Sequence, residues 1–90
     1  MSRYRWDKEK AEANLRRHGV TFTEAGKAAS HPLAVEEPDI DHSDEEERVR
    51  VTGWSPQGRL LVVIVSISGR NPRIISARSA TKRERDAYAN

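Results

Sequence analysis

The sequence predicts an α+β fold: a small antiparallel β-sheet with two N-terminal helices packed on one face and a C-terminal helix. Three observations carry that reading. Two helical segments with cap signals come first, within residues 7–30. Three strand-like runs follow, at 48–52, 60–65 and 73–77, with Gly- and Pro-containing segments of hairpin size between them. Connections that short require antiparallel neighbours, and helices grouped ahead of the strands belong to an α+β rather than an alternating α/β chain.

Taken in order, Tyr4-Arg5-Trp6 reads as a short opening strand. Asp7 is an N-cap residue for a helix over Lys8–His18, whose inner face is expected to carry Ala11 and Leu15, one turn apart. Arg16, Arg17 and His18 suit the negative end of the helix dipole, and Gly19 can end the helix in the left-handed conformation. Thr21-Phe22-Thr23-Glu24 has the spacing of a capping box and opens a second helix that reaches about Ser30, before Pro32. Residues 33–37 form a candidate strand, and 38–46 an acidic loop. Arg48-Val49-Arg50-Val51-Thr52 alternates as a half-buried strand does. After a turn at 53–58, Leu60-Leu61-Val62-Val63-Ile64-Val65 is continuous and largely β-branched, as a central strand covered on both faces should be. A turn at 68–72 leads to the last strand, and Thr81 with Glu84 offers a second capping box for a helix to about Ala89.

Ninety residues are the length of one domain, so residues 1–90 are read as a single one. A domain of this size buries roughly 60–65% of its unfolded-chain surface, which leaves a small core. No apolar run approaches the ~20 residues of a membrane span, and the N-terminus lacks the apolar centre of a secretion signal. The absence of cysteine excludes disulfides and thiolate metal sites and is compatible with the cytoplasm. His18, His31 and His42 have no metal-ligand spacing, so no metal and no other cofactor is expected.

The net charge of +2 conceals a segregation. Residues 36–47 hold eight acids and no Lys or Arg, whereas residues 48–86 hold nine Lys or Arg against two acids, Glu84 and Asp86. Local potential, more than total charge, selects a partner. Arginines gathered on the strands and the helix that follows suit a polyanion, because the guanidinium grips phosphate oxygens bidentately and keeps its charge at neutral pH. Cleavage of RNA by its own 2′-hydroxyl needs a base near that hydroxyl, cations around the pentavalent phosphate and a proton donor for the leaving oxygen. The candidates are His42, Glu47, Arg48, Arg73 and Arg78 for the chemistry, and Arg50, Arg59, Lys82, Arg83 and Tyr88 for holding substrate. Arg73 and Arg78 are five apart and face opposite sides of a regular strand, so they share a phosphate only if the strand ends or bulges between them. Plainer roles stand beside these: Tyr88 as a helix anchor, Lys82-Arg83-Glu84-Arg85 as a solvated helix face, and Trp6 and Trp54 as packing.

The pattern Trp6-Asp7, Lys10, Asn14, His18-Gly19-Val20, Phe22, Ala25, Pro32, Asp39, His42-Ser43, Glu46-Glu47-Arg48, Gly53, Ser55, Gly58-Arg59-Leu60-Leu61, Arg73-Ile74-Ile75-Ser76-Ala77-Arg78, Ala80-Thr81, Glu84 and Tyr88 resembles the BrnT toxins over nearly the whole chain. The resemblance implies a RelE-like fold and a metal-independent endoribonuclease toxin of a bacterial type II toxin–antitoxin system, acting in the cytoplasm to inhibit translation. It implies a BrnA-type ribbon-helix-helix antitoxin as partner, an RNA substrate, DNA contact only through the antitoxin complex, a toxin dimer within that complex, and no membrane. A catalytically silent toxin-like module, acting only in an antitoxin-bound repressor complex, is the alternative. Two stretches depart from the family pattern. Ala28-Ala29-Ser30-His31-Pro32 replaces a bulky apolar pair and an acid, which is expected to thin the core by about 1–3 kcal/mol. Pro72 lacks a backbone donor, so the last strand should begin at Arg73 or lie at an edge there.

Overall fold

A computed structural model of the protein describes residues 3–39 and 47–89. The element order is α1 (Lys8–His18), α2 (Phe22–Ala29), β1 (Val35–Pro38), β2 (Arg48–Trp54), β3 (Leu60–Ser66), β4 (Arg73–Ser79) and α3 (Lys82–Ala89). The four strands form one antiparallel sheet in the order β1-β2-β3-β4, the α+β architecture expected from the short connections.

α1 starts where Asp7 accepts the Glu9 N–H at 2.8 Å, and it ends where Gly19, at φ 69°, donates its N–H to the Leu15 carbonyl. Its buried residue is Asn14; Ala11 is half-buried, and Leu15 is 48% exposed. The expected Ala11–Leu15 inner face is therefore corrected. α1 seats on the outer edge of β4, and that edge has backbone groups to satisfy. The Asn14 amide donates to the Ala77 and Val20 carbonyls at 2.9 and 3.0 Å, and its oxygen accepts the Ala77 N–H at 3.1 Å. One buried side chain thus stands in for the strand that β4 lacks on this side.

α2 is capped by Thr21, whose hydroxyl accepts the Glu24 N–H at 3.1 Å. The Glu24 carboxylate goes elsewhere, to Arg59 and Ser55, so it turns into the core rather than back onto its own helix end. His31 Nδ1 accepts the Leu33 N–H at 3.0 Å, the task an acid at that position could also perform. A Cβ on Gly53 of β2 would lie 2.2 Å from the Ala28 carbonyl oxygen. The small residues of α2 thus exchange side-chain volume for close backbone approach, which answers the expectation of a thinned core.

β3 is central and buried along almost its whole length. Val49, Val51, Leu61, Val63, Val65, Ile74 and Ala77 face α1 and α2 and pack with Phe22, Ala25 and Val20. Each buried Val, Leu or Ile here contributes about 1.5–3 kcal/mol by leaving water. On the opposite face Leu60, Val62 and Ala80 pack against Tyr88, which brings α3 across one end of the sheet. The opening segment makes a single parallel bridge, Arg5 to Arg73, beside the β4 edge. β4 begins at Arg73, directly after Pro72, and is an edge strand of the sheet. The strands also differ from expectation at their ends: β1 runs to Pro38, and β2 continues through Gly53 and Trp54. Asp39, expected in the acidic loop, is buried and donates its N–H to the Arg48 carbonyl. Among the described residues no helix is long and apolar enough to cross a membrane.

Candidate functional site

The register of β4 decides where its arginines point. Ile64 pairs with Ser76 while Val65 pairs with Ile74, so Ile75 is an extra residue on β4, a β-bulge. The bulge lets Ile74 and Ala77, three apart, both enter the helix-side core. It therefore turns Arg73 and Arg78, five apart, to the other face. The condition that strict alternation imposed on this pair is met by a bulge.

That face has a simple layout. Across its first row run Arg48, Ser66 and Arg73, on β2, β3 and β4. The next row holds Glu37, Arg50, Ile64 and Ser76. The third holds Val35, Thr52, Val62 and Arg78. α3 packs over Val62 of the third row and Leu60 beyond it, anchored by Tyr88, and leaves Val35 at the β1 end 45% exposed. The Tyr88 hydroxyl donates to the Leu33 carbonyl at 2.8 Å, tying the helix to the segment that leads into β1. The first two rows stay outside α3. Arg48 and Arg73 stand two strand spacings apart there, about 10 Å at the backbone, a gap that two long side chains can close on one phosphate. Glu47 is exposed at the start of β2, beside Arg48. Its N–H donates to Ser68 Oγ and its carbonyl accepts the Ile67 N–H, both at 3.0 Å. His42 lies outside the described residues.

A groove of about 620 Å³ opens between the side of α3 and the β1–β2 end of the sheet. Arg50, Arg83 and Tyr88, all expected to hold substrate, line it together. Arg50 forms an ion pair with Glu37 at 3.6 Å. Arg78, at its border, is held by Glu84 through two bonds of 2.7 and 2.9 Å. Glu84 also completes the second capping box, accepting the Thr81 N–H at 2.9 Å while Thr81 Oγ1 accepts the Glu84 N–H at 3.2 Å. Hydrogen bonds from the Arg78 guanidinium, opposed by partial burial and helped by Thr81, hold the Glu84 carboxyl down at about 2.

Two expected substrate ligands are not brought to this face. Arg59 points to the helix side, where it donates to both Glu24 oxygens and, at 3.1 Å, to the Gly19 carbonyl, while Ser55 Oγ donates to Glu24 at 2.8 Å. Its bonds hold the Glu24 carboxyl below the ordinary range. Arg59 thus locks the β2–β3 turn to the ends of α1 and α2. Lys82 pairs with Asp86 at 2.8 Å on the solvent side of α3. Sequence reasoning missed Glu37 and the second role of Glu84. The alternation of 48–52 could have shown which residues share a face with Arg50, but not which β1 residue lies opposite. Among the described residues no three His, Asp or Glu side chains gather as a metal site requires.

The family model described as ribonuclease toxin, BrnT, of type II toxin–antitoxin system matches residues 6–84. Among solved structures, the crystal structure of the Brucella abortus ribonuclease toxin BrnT is similar, with 24% identity and a TM-score of 0.66. The match covers 88% of this chain and 96% of that one. At that identity the structural likeness speaks for the fold. No curated protein matches the sequence.

Proposed function

The chain belongs to the BrnT family of ribonuclease toxins of type II toxin–antitoxin systems, and from that membership we propose that it is an endoribonuclease that cuts RNA without a metal on the arginine-bearing half of its sheet, on the face away from α1 and α2. The observation that carries the reading is the row Arg48–Ser66–Arg73, two guanidinium-bearing residues flanking a small polar one, with Glu47 next in sequence. In the proposed reaction a base, His42 or Glu47, takes the proton of the 2′-hydroxyl. The freed oxygen attacks the adjacent phosphorus, and the bond from phosphorus to the 5′-oxygen breaks as that oxygen gains a proton. Arg48 and Arg73 stabilise the extra negative charge of the pentavalent phosphate, the contribution that preorganised cations make best, and Arg78, two rows away on the same face, joins them when Glu84 releases its fork. Arg50, Arg83 and Tyr88 hold the strand alongside, while Arg59 and Lys82 are assigned structural and peripheral places. The products are a 2′,3′-cyclic phosphate and a 5′-hydroxyl.

The biological reading follows the family name. RNA cutting inhibits translation in the bacterial cytoplasm, and a BrnA-type ribbon-helix-helix antitoxin neutralises the toxin within a complex that carries toxin dimers and contacts DNA only through the antitoxin. Residues 1–90 act as one toxin domain.

The test is to incubate the protein with RNA in EDTA and to map the ends. New cyclic-phosphate ends, lost by ~10²-fold or more in Arg73→Ala at unchanged thermal stability, are expected. Arg73 is the cleaner probe, because removing Arg78 also strands the Glu84 carboxylate. One observation favours the alternative of a catalytically silent module: the Arg78 fork is already filled by Glu84. RNA binding without new ends at any protein concentration establishes that alternative and sinks the enzymatic reading.

A further inference from the structure

We propose that the groove between α3 and the β1–β2 end of the sheet is a base pocket that selects guanine, and that Glu37 is its specificity-determining residue; the proposal rests on the RNA-binding reading of this face.

The groove has the two chemistries a nucleobase needs. Val35, Ala87 and the Tyr88 ring give it apolar wall, and an unstacked base binds to aromatic and apolar surface with its edge left to hydrogen-bond. Arg50 and Arg83 supply charge for the attached phosphates. Arg50 is one pair further along β2 than Arg48, about 7 Å, so a nucleotide whose phosphate sits at the Arg48–Arg73 row has its neighbour at the groove.

Which base fits is decided by the acceptors. Two carboxylates line the groove, Glu37 and Glu84. Glu84 is spent: both oxygens receive Arg78, and one also receives the Thr81 N–H. The Tyr88 hydroxyl gives its proton to the Leu33 carbonyl, which leaves it a single neutral acceptor and no match for two adjacent donors. Among the described residues the ion pair of Glu37 is the 3.6 Å contact to Arg50, longer than a hydrogen bond, and its side chain is 54% exposed. An ionised carboxylate accepts and never donates. Its two oxygens are matched by a base edge with two adjacent donors. Guanine has that edge, in N1–H and the N2 amine. Adenine and cytosine each offer one amine beside an acceptor, and uracil offers one N–H between two carbonyls. The Arg50 partner, 3.6 Å away, holds Glu37 at the groove.

The experiment measures binding of short 2′-O-methyl RNA oligonucleotides that differ at one base, because the missing 2′-hydroxyl makes binding readable whether or not the protein cuts. Guanine is expected to bind about tenfold or more tighter than adenine, cytosine or uracil, the discrimination a bidentate contact gives. Inosine, which lacks the N2 amine, is expected between them. Glu37→Gln is expected to shrink the guanine preference to about threefold or less, without weakening the other three sequences, since it removes a negative charge. A purely structural Glu37 would move all four affinities together. Equal affinities in the unsubstituted protein, or a guanine preference that survives Glu37→Gln, overturns the pocket. In either case cleavage of unmodified RNA in EDTA reports separately on the enzymatic reading, and a complete absence of RNA binding overturns both.

Discussion

At the scale of single residues, the fold depends on a few side chains that serve backbone groups rather than other side chains. Asn14 is the clearest. It carries three hydrogen bonds from a buried position, two of them to Ala77 on the outer edge of β4. Asn14→Ala leaves an N–H and a carbonyl of that edge without partners, and a loss of about 2–4 kcal/mol in urea unfolding is expected. An unchanged midpoint would show that water serves the edge equally well. Gly53 has the opposite character: the position matters for what it omits. Gly53→Ala puts a methyl group 2.2 Å from the Ala28 carbonyl oxygen, and backbone on both sides leaves little to yield. A cost of about 1–3 kcal/mol, seen as a lower thermal midpoint, is expected from overpacking. Neither requirement could be weighed from the sequence. The Asn14 side chain is polar on a helix whose apolar residues suggested a different inner face, and Gly53 looked like the first residue of a turn.

At the scale of elements, β4 and α3 work as a unit. The bulge at Ile75 sets the face of Arg73 and Arg78, and Glu84 at the start of α3 then holds Arg78. This contact has a definite pH signature. The folded-state pKa of Glu84, about 2, is below its ordinary 4.5. The stability it contributes is complete above about 4.5 and is lost as pH falls through that window toward 2. The contribution is about 1–2 kcal/mol, less than the bare shift implies, because Arg78 is 41% exposed and solvent screens the pair. Glu84→Gln is therefore expected to lower stability at pH 7 by that amount and to flatten the acid limb of a stability–pH curve between about 4.5 and 2. An acid limb of unchanged slope would place the lost protons elsewhere. The capping box at Thr81 and Glu84 was legible as a spacing, whereas the arginine reaching it from the preceding strand was not, since it required knowing the bulge.

At the scale of the molecule, the sheet separates two jobs. One face is a core against α1 and α2, and the other carries Arg48, Arg50 and Arg73 beside a groove walled by α3. RNA held there releases counterions, so the logarithm of affinity falls linearly with the logarithm of salt concentration. Removing one of these arginines is expected to make the slope shallower by about 0.7, the value for a single-stranded ligand. Arg59→Ala, on the helix side, is expected to lower stability and leave the slope unchanged. Equal slopes for Arg73→Ala and the parent protein would move the RNA track off this face.

The sequence by itself determined the element order, the antiparallel sheet with its central β3, the caps at Asp7, Thr21 and Thr81, and the family, because each rests on local spacing or on residue patterns that persist along the chain. It also singled out arginines as candidate site residues. Tertiary structure alone decided which arginines meet. Arg59 and Arg73 are both site candidates in a sequence reading, one for substrate and one for chemistry, yet one is locked to Glu24 and the other shares a face with Arg48. The physical reason is that one extra residue in a strand reverses every later side chain, and the core makes that choice: burying both Ile74 and Ala77 requires the bulge that turns Arg73 and Arg78 outward together.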